Sequence, residues 1–263
     1  MGNQRLGPLP RSKRWQQLVG LIVVGAGASQ VATATIDAAE QGLSQASKDQ
    51  GFVETMWLLT QLPQAARSGN FAAALRTAGL DVPDNPTLMD VVGAFADAVD
   101  HRLGASGRRT DLGEMAQMAA NETLCRVLGE RTQSLFGTDP SAVQREMGKL
   151  GTHRQFSIFC HQFFARLTER YLNYFLSRTL PQNIGEGRRF TTLAQQAEFS
   201  KALGTHCDQA TRIMQEFSGS WFSKTNWETG GITRKQTSGF VHIAMKKIVG
   251  ELKEGARPLC PSA

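Results

Sequence analysis

Cys160-His161 and His206-Cys207 are the residues of this sequence best suited to metal chemistry, because thiolate and imidazole together make a zinc site. Their spacing argues against it. Neighbouring residues on a helix point about 100° apart, so one helix face does not present both members of a pair. Cys125 and Cys260, the other two of the four cysteines, stand at no ribbon or finger spacing from them. The first three cysteines also fall on a helical apolar pattern and read as core thiols, so no metal and no cofactor is expected. Isolated thiols suit a reducing compartment, and a cytoplasmic location is expected from them.

Acid and base chemistry is equally thin. His153, His161 and His206 are possible bases, yet no serine or cysteine elbow accompanies them. Arg154 and His161, seven residues apart, share a face in the manner of small helical ribonucleases, a spacing that any polar helix face produces. Glu114 and Glu122 lack the histidine three residues on that a di-iron bundle repeats. Gly25/Gly27 and Gly230/Gly231 lack both the lysine-threonine ending of a phosphate loop and the strand of a dinucleotide fold. No catalytic residue is assigned.

Recognition is the better-supported chemistry. Phe217-Ser-Gly-Ser-Trp-Phe-Ser-Lys-Thr-Asn-Trp-Glu-Thr-Gly-Gly-Ile232 reads as a glycine- and serine-rich connection between two helices, carrying Trp221, Phe222 and Trp227. Large aromatics in a connection either cover the core or anchor a partner. With Lys224, Arg234 and Lys235 around them they form the candidate binding set, the cations guiding approach and the rings supplying affinity.

The charge layout fits that set. The net charge is +6; residues 1–14 contribute +4 through Arg5, Arg11, Lys13 and Arg14, and residues 224–263 another +4, leaving the middle at −2. Basic ends attract an acidic protein surface or a phosphate backbone. A nucleic-acid binder or a nuclease-like enzyme is the alternative, though such proteins carry denser basic clusters interleaved with aromatics.

The elements that must position these residues are helical. Apolar residues recur at three and four in nearly every segment, and no alternating strand appears, which predicts an all-α multi-helix bundle of about eight to nine helices. One helix is expected over 13–48, loosened near Gly25 and Gly27, and the next ends at Pro63. Asn70 caps a short helix, and another carries Leu88, Val91, Val92, Phe95 and Val99. Asp111 with Glu114 has the logic of a capping box, and Asp139-Pro140 starts a helix with an acceptor at the cap and proline at the first turn. Phe156, Phe159, Phe163, Leu167, Tyr171 and Phe175 mark the longest helix, over 152–180. Thr191 opens one running through Phe217, and Phe240 to Leu252 make the last. The expected division is a basic leader over 1–14, one helical domain over 15–255 with a seam near 136–140, and a tail over 256–263.

The amino terminus imitates a secretory signal: basic Arg11-Ser-Lys-Arg14, apolar Leu18 to Ala28, then Ala32-Thr-Ala34, so export with cleavage near Thr35 is a further alternative. The apolar stretch is about half the ~20 residues a bilayer requires, so no membrane association is expected. Leu6 stands where myristoylation at Gly2 wants serine or threonine.

Across most of its length the chain resembles the small helical B component of Qat-type four-gene anti-phage defence systems. The resemblance rests on Gly2 and Gly7-Pro-Leu-Pro10, a Gly/Ala/Ser-rich first helix, Phe71-Ala-Ala-Ala-Leu-Arg-Thr-Ala-Gly-Leu80, Asp90-Val-Val-Gly-Ala-Phe-Ala-Asp-Ala-Val99 and the aromatic helix. It implies a non-enzymatic partner or substrate of a QueC-like modifying enzyme, acting beside an ATPase and a TatD-like nuclease. It also implies that Gly2, exposed by methionine removal, is handled by that enzyme. The leader here is shorter than the glycine- and serine-rich leader of that family, which sets the role of Gly2 apart from the rest of the resemblance.

Overall fold

The computed structural model describes residues 13–44, 46–105, 110–134 and 137–254; Gly2, the leader up to residue 12 and the tail from residue 255 lie outside them. Among the described residues the chain forms eleven α-helices. The all-α expectation holds, with two or three more helices than expected. In order they are α1 (Lys13–Val23), α2 (Ala28–Ser44), α3 (Gln50–Ala65), α4 (Phe71–Thr77), α5 (Leu88–Ala105) and α6 (Asp111–Thr132). There follow α7 (Pro140–Leu150), α8 (His153–Leu176), α9 (Leu193–Thr211), α10 (Ile213–Thr229) and α11 (Arg234–Glu254). Gln133–Ser134 and Gly137–Thr138 pair as a short antiparallel ladder.

The extra helices come from two breaks. The helix expected over 13–48 ends at Val23 because Gly25 takes φ +85°, a conformation that a Cβ disfavours. The Gly25 amide donates to Ile22 O and the Ala26 amide to Leu21 O, a closed helix end that satisfies two otherwise orphaned carbonyls. The second break separates α9 from α10 at Arg212, whose amide donates to Gln209 O at 3.2 Å, three residues back.

Local signals set most other boundaries. Asn70 Oδ1 accepts from the Ala73 amide at 3.0 Å, and Asp139 Oδ1 from the Ser141 amide at 2.9 Å with Pro140 in the first turn. Three boundaries differ from expectation. Thr110, one residue before Asp111, caps α6 by accepting from the Gly113 amide at 3.1 Å. Thr192 caps α9, with Thr191 bonded to Gln195 Oε1. Pro63 lies inside α3, which ends two residues later, because the Ala66 amide still reaches Leu62 O at 3.0 Å.

The buried side chains form one cluster running from Trp15 to Leu252. Its centre is α8, which packs on α6, α9 and α10, and α3, which packs on α5, α6, α7 and α11. Phe52 from α3 lies 6.2 Å from both Phe163 and Phe164 of α8, so the two central helices meet through aromatic rings. The helix pair α3 and α6 approaches closely where Gly51 faces Gly113: a Cβ on Gly51 would lie 3.0 Å from Gly113 Cα.

Glu146 of α7 is buried and receives Lys149 Nζ at 2.6 Å. That hydrogen bond holds its carboxyl below the ordinary range against burial, which raises it, with Arg145 adding to the lowering. A carboxyl whose folded pKa is depressed stabilises the fold fully above its unfolded value, about 4.3, and loses that contribution as pH falls through the folded value. Glu146→Gln is therefore expected to flatten the acid limb of stability below about pH 5, measured as urea midpoints across pH. An unchanged acid limb would show that Glu146 is not among the carboxylates responsible.

Candidate functional site

The segment 217–232 is not a connection. Residues 213–229 form α10, and the turn to α11 is confined to Gly230–Thr233, with Gly230 at φ +66° ending the helix. Glycine and serine are poor helix formers in isolation, but here they let α10 lie against α8. The Gly219 amide donates to Ser157 Oγ at 3.0 Å, and a Cβ on Gly219 would lie inside contact distance of the His153 carbonyl oxygen.

This helix divides the three aromatics. Phe222 is 1% exposed and stacks on Phe156 at 4.0 Å between ring centres. Trp221 is half-buried and stacks on Phe240 of α11 at 4.0 Å. Trp227 points outward and is 89% exposed. Lys224, one turn before it, is exposed and lies 3.8 Å from Glu228. The structure therefore leaves one of the three rings at the surface.

The corner beneath Trp227 is braced. Ile232 is buried in the turn, and its carbonyl accepts from Trp57 Nε1 at 2.7 Å. Arg234 stacks on the Trp57 ring with its guanidinium carbon 3.5 Å from the ring centre, and donates to both oxygens of buried Glu54 at 2.6 and 2.7 Å. Arg102 of α5 approaches the same carboxylate at 3.9 Å. A forked guanidinium on a carboxylate, stacked on an indole, fixes geometry in a way lysine would not. Arg234 thus holds the fold together at this corner, while Lys235 beside it is exposed. The Glu54–Trp57–Arg234 brace is legible in the sequence only as a helical i, i+3 pair; nothing there points to Arg234, 180 residues from Glu54.

The histidines and cysteines fall elsewhere. His161 is buried, with Nδ1 2.9 Å from Gln215 Nε2 and Nε2 2.9 Å from the Asp208 carbonyl. The Asp208 carboxylate also lies 3.4 Å from Nε2. The Asp208 carbonyl is among the last four of α9 and has no amide of its own helix to accept from. His161 shares that carbonyl with the Thr211 hydroxyl, which donates to it at 3.1 Å, and so ties α8 to the end of α9 beside the break at Arg212. Arg154 is exposed, whereas His161 has both ring nitrogens engaged within the fold, so the two do not make a shared surface.

Cys160 and Cys207 are buried, and burial pushes both thiols far above their usual range, which keeps them protonated and weakly reactive. Burial lowers the pKa of His206, with the Leu252 carbonyl opposing. Among the described residues no cluster of three or more histidine, cysteine, aspartate or glutamate side chains is arranged to hold a metal ion. No described helix is long and apolar enough to cross a membrane. Compared with protein-family models, curated proteins and solved structures, the chain matches none of them.

Proposed function

We propose that this chain is a helical interaction module that docks a protein partner at the corner between α10 and α11, with Trp227 as the anchor and Lys224 and Lys235 at the rim. One observation carries the reading: a tryptophan 89% exposed at the end of a helix whose following turn is tied down by Ile232, Trp57 and Arg234. An indole left in water represents unrealised apolar burial, and tryptophan on a rigid support is the side chain most enriched among binding hot spots. A braced platform also keeps the ordering cost of docking small. The rim lysines favour an acidic partner surface, since Lys235 has no ion pair among the described residues. The resemblance to the Qat B component makes a QueC-like enzyme the first partner to test.

Trp227→Ala is expected to leave folding stability within about 0.5 kcal/mol of wild type. Partner affinity should fall by about 2 kcal/mol or more, roughly thirtyfold. Titration calorimetry of purified full-length chain with the candidate enzyme, beside thermal unfolding of both proteins, measures the two quantities. Wild-type affinity in a folded Trp227→Ala variant would overturn the proposal.

A further inference from the structure

Two depressions in the surface contrast in how their polar groups are used. The larger, about 920 Å³, lies along α1 and α2, and its ionic end is already joined: Arg14 donates to the Asp37 carbonyl and Lys253 pairs with the Asp37 carboxylate at 2.8 Å. The smaller, about 170 Å³, lies between α6 and α8 beside the end of α7. Its lining includes buried Leu150 and Phe159 together with Arg126, Arg131, Gln155 and Gln162. Among the described residues, none of these four side chains donates a hydrogen bond within the protein.

The surrounding acids explain why these donors remain unused. Glu122, one turn before Arg126, is held by Arg170 at 2.7 Å and Arg166 at 3.2 Å, both from α8. Burial raises its carboxyl pKa, and those two guanidinium groups outweigh burial and leave it lowered. Glu146, whose carboxyl feels Arg131, is held by Lys149 at 2.6 Å and Arg145 at 3.6 Å. The neighbouring carboxylates are thus paired at close range by other cations, Arg131 acting on Glu146 only through longer-range attraction. Arg126 and Arg131 face the pocket with Glu130 as the one acid in its lining, an excess of one positive charge.

We propose that this pocket binds a phosphoryl group, as free phosphate or as the head of a small phosphate monoester. Two guanidinium forks and two amides line the same pocket, and arginine binds phosphate oxygens in pairs. The volume admits a phosphoryl group and a few further atoms, so a larger ester would extend out of the mouth.

The test is a titration of the full chain with inorganic phosphate and with glycerol 3-phosphate at constant ionic strength, followed by amide NMR. Saturable shifts at residues of α6 and at Gln155 to Gln162 are expected, with a dissociation constant on the order of 1 mM. Tighter binding of glycerol 3-phosphate identifies the monoester as the ligand form, and equal or tighter binding of phosphate identifies the free anion. Arg126→Gln with Arg131→Gln should weaken binding by about tenfold or more, and Glu130→Gln should tighten it. All three positions are exposed, so the variants are expected to fold as wild type. Absence of saturable shifts in the wild-type chain, or equal affinity in a folded double arginine variant, would overturn the proposal.

Discussion

Gly219→Ala is expected to destabilise the protein by about 2–4 kcal/mol, although alanine in a helix ordinarily gains about 1 kcal/mol over glycine. The sign is the informative part. Gly219 lies where α10 crosses α8, and an added Cβ would sit within contact distance of the His153 carbonyl oxygen and Ser157 Oγ and 3.0 Å from the His153 carbonyl carbon. The obstructing atoms of His153 are backbone, so they withdraw only if a helix moves. Movement would also stretch the 3.0 Å hydrogen bond from the Gly219 amide to Ser157, a buried side chain. Gly239→Ala is the matched control: it lies in α11 with nothing within 4 Å of an added Cβ and should gain about 0.5–1 kcal/mol. Denaturant unfolding of the two variants side by side decides the matter. A neutral or stabilising Gly219→Ala would mean that α8 and α10 do not cross there.

Phe222→Ala should cost about 3–5 kcal/mol, because it removes a fully buried ring and leaves a cavity opposite Phe156. Its neighbour Phe156 belongs to the central helix, which has little freedom to collapse into the space. The contrast with Trp227→Ala is the useful measurement, since the two residues are five apart on one helix and face opposite environments. A loss below about 1 kcal/mol for Phe222→Ala would contradict its burial. Equal losses in both variants would place both rings in the core and remove Trp227 as an anchor.

The sequence alone determined the helical class. Its apolar residues recur at helical spacing, and that period sends one face of each segment inward whatever the neighbour is. It also determined the starts of α4 and α7, because Asn70 and Asp139-Pro140 act on amides two or three residues away. The aromatic stripe of α8 was legible for the same reason, and five of its six rings or aliphatic knobs, Phe156 through Tyr171, are buried. Local interactions need no knowledge of the rest of the chain.

The tertiary structure decided the rest. Residues 217–229 look like a connection because glycine and serine have low helix propensity, yet α8 makes small residues necessary there and contributes contacts that outweigh the propensity. The end of α9 is tied to α8 by His161, 47 residues from the Asp208 carbonyl that it meets, a contact no local pattern announces. Which of three nearby aromatics reaches solvent was set by the phase of α10 against α8 and α11, a quantity that composition does not contain. The pairings of Glu54 with Arg234, and of Glu122 with Arg166 and Arg170, likewise join separate helices. Hydrophobic spacing specifies an inward face, but only packing specifies which charges that face brings together and which donors it leaves unused.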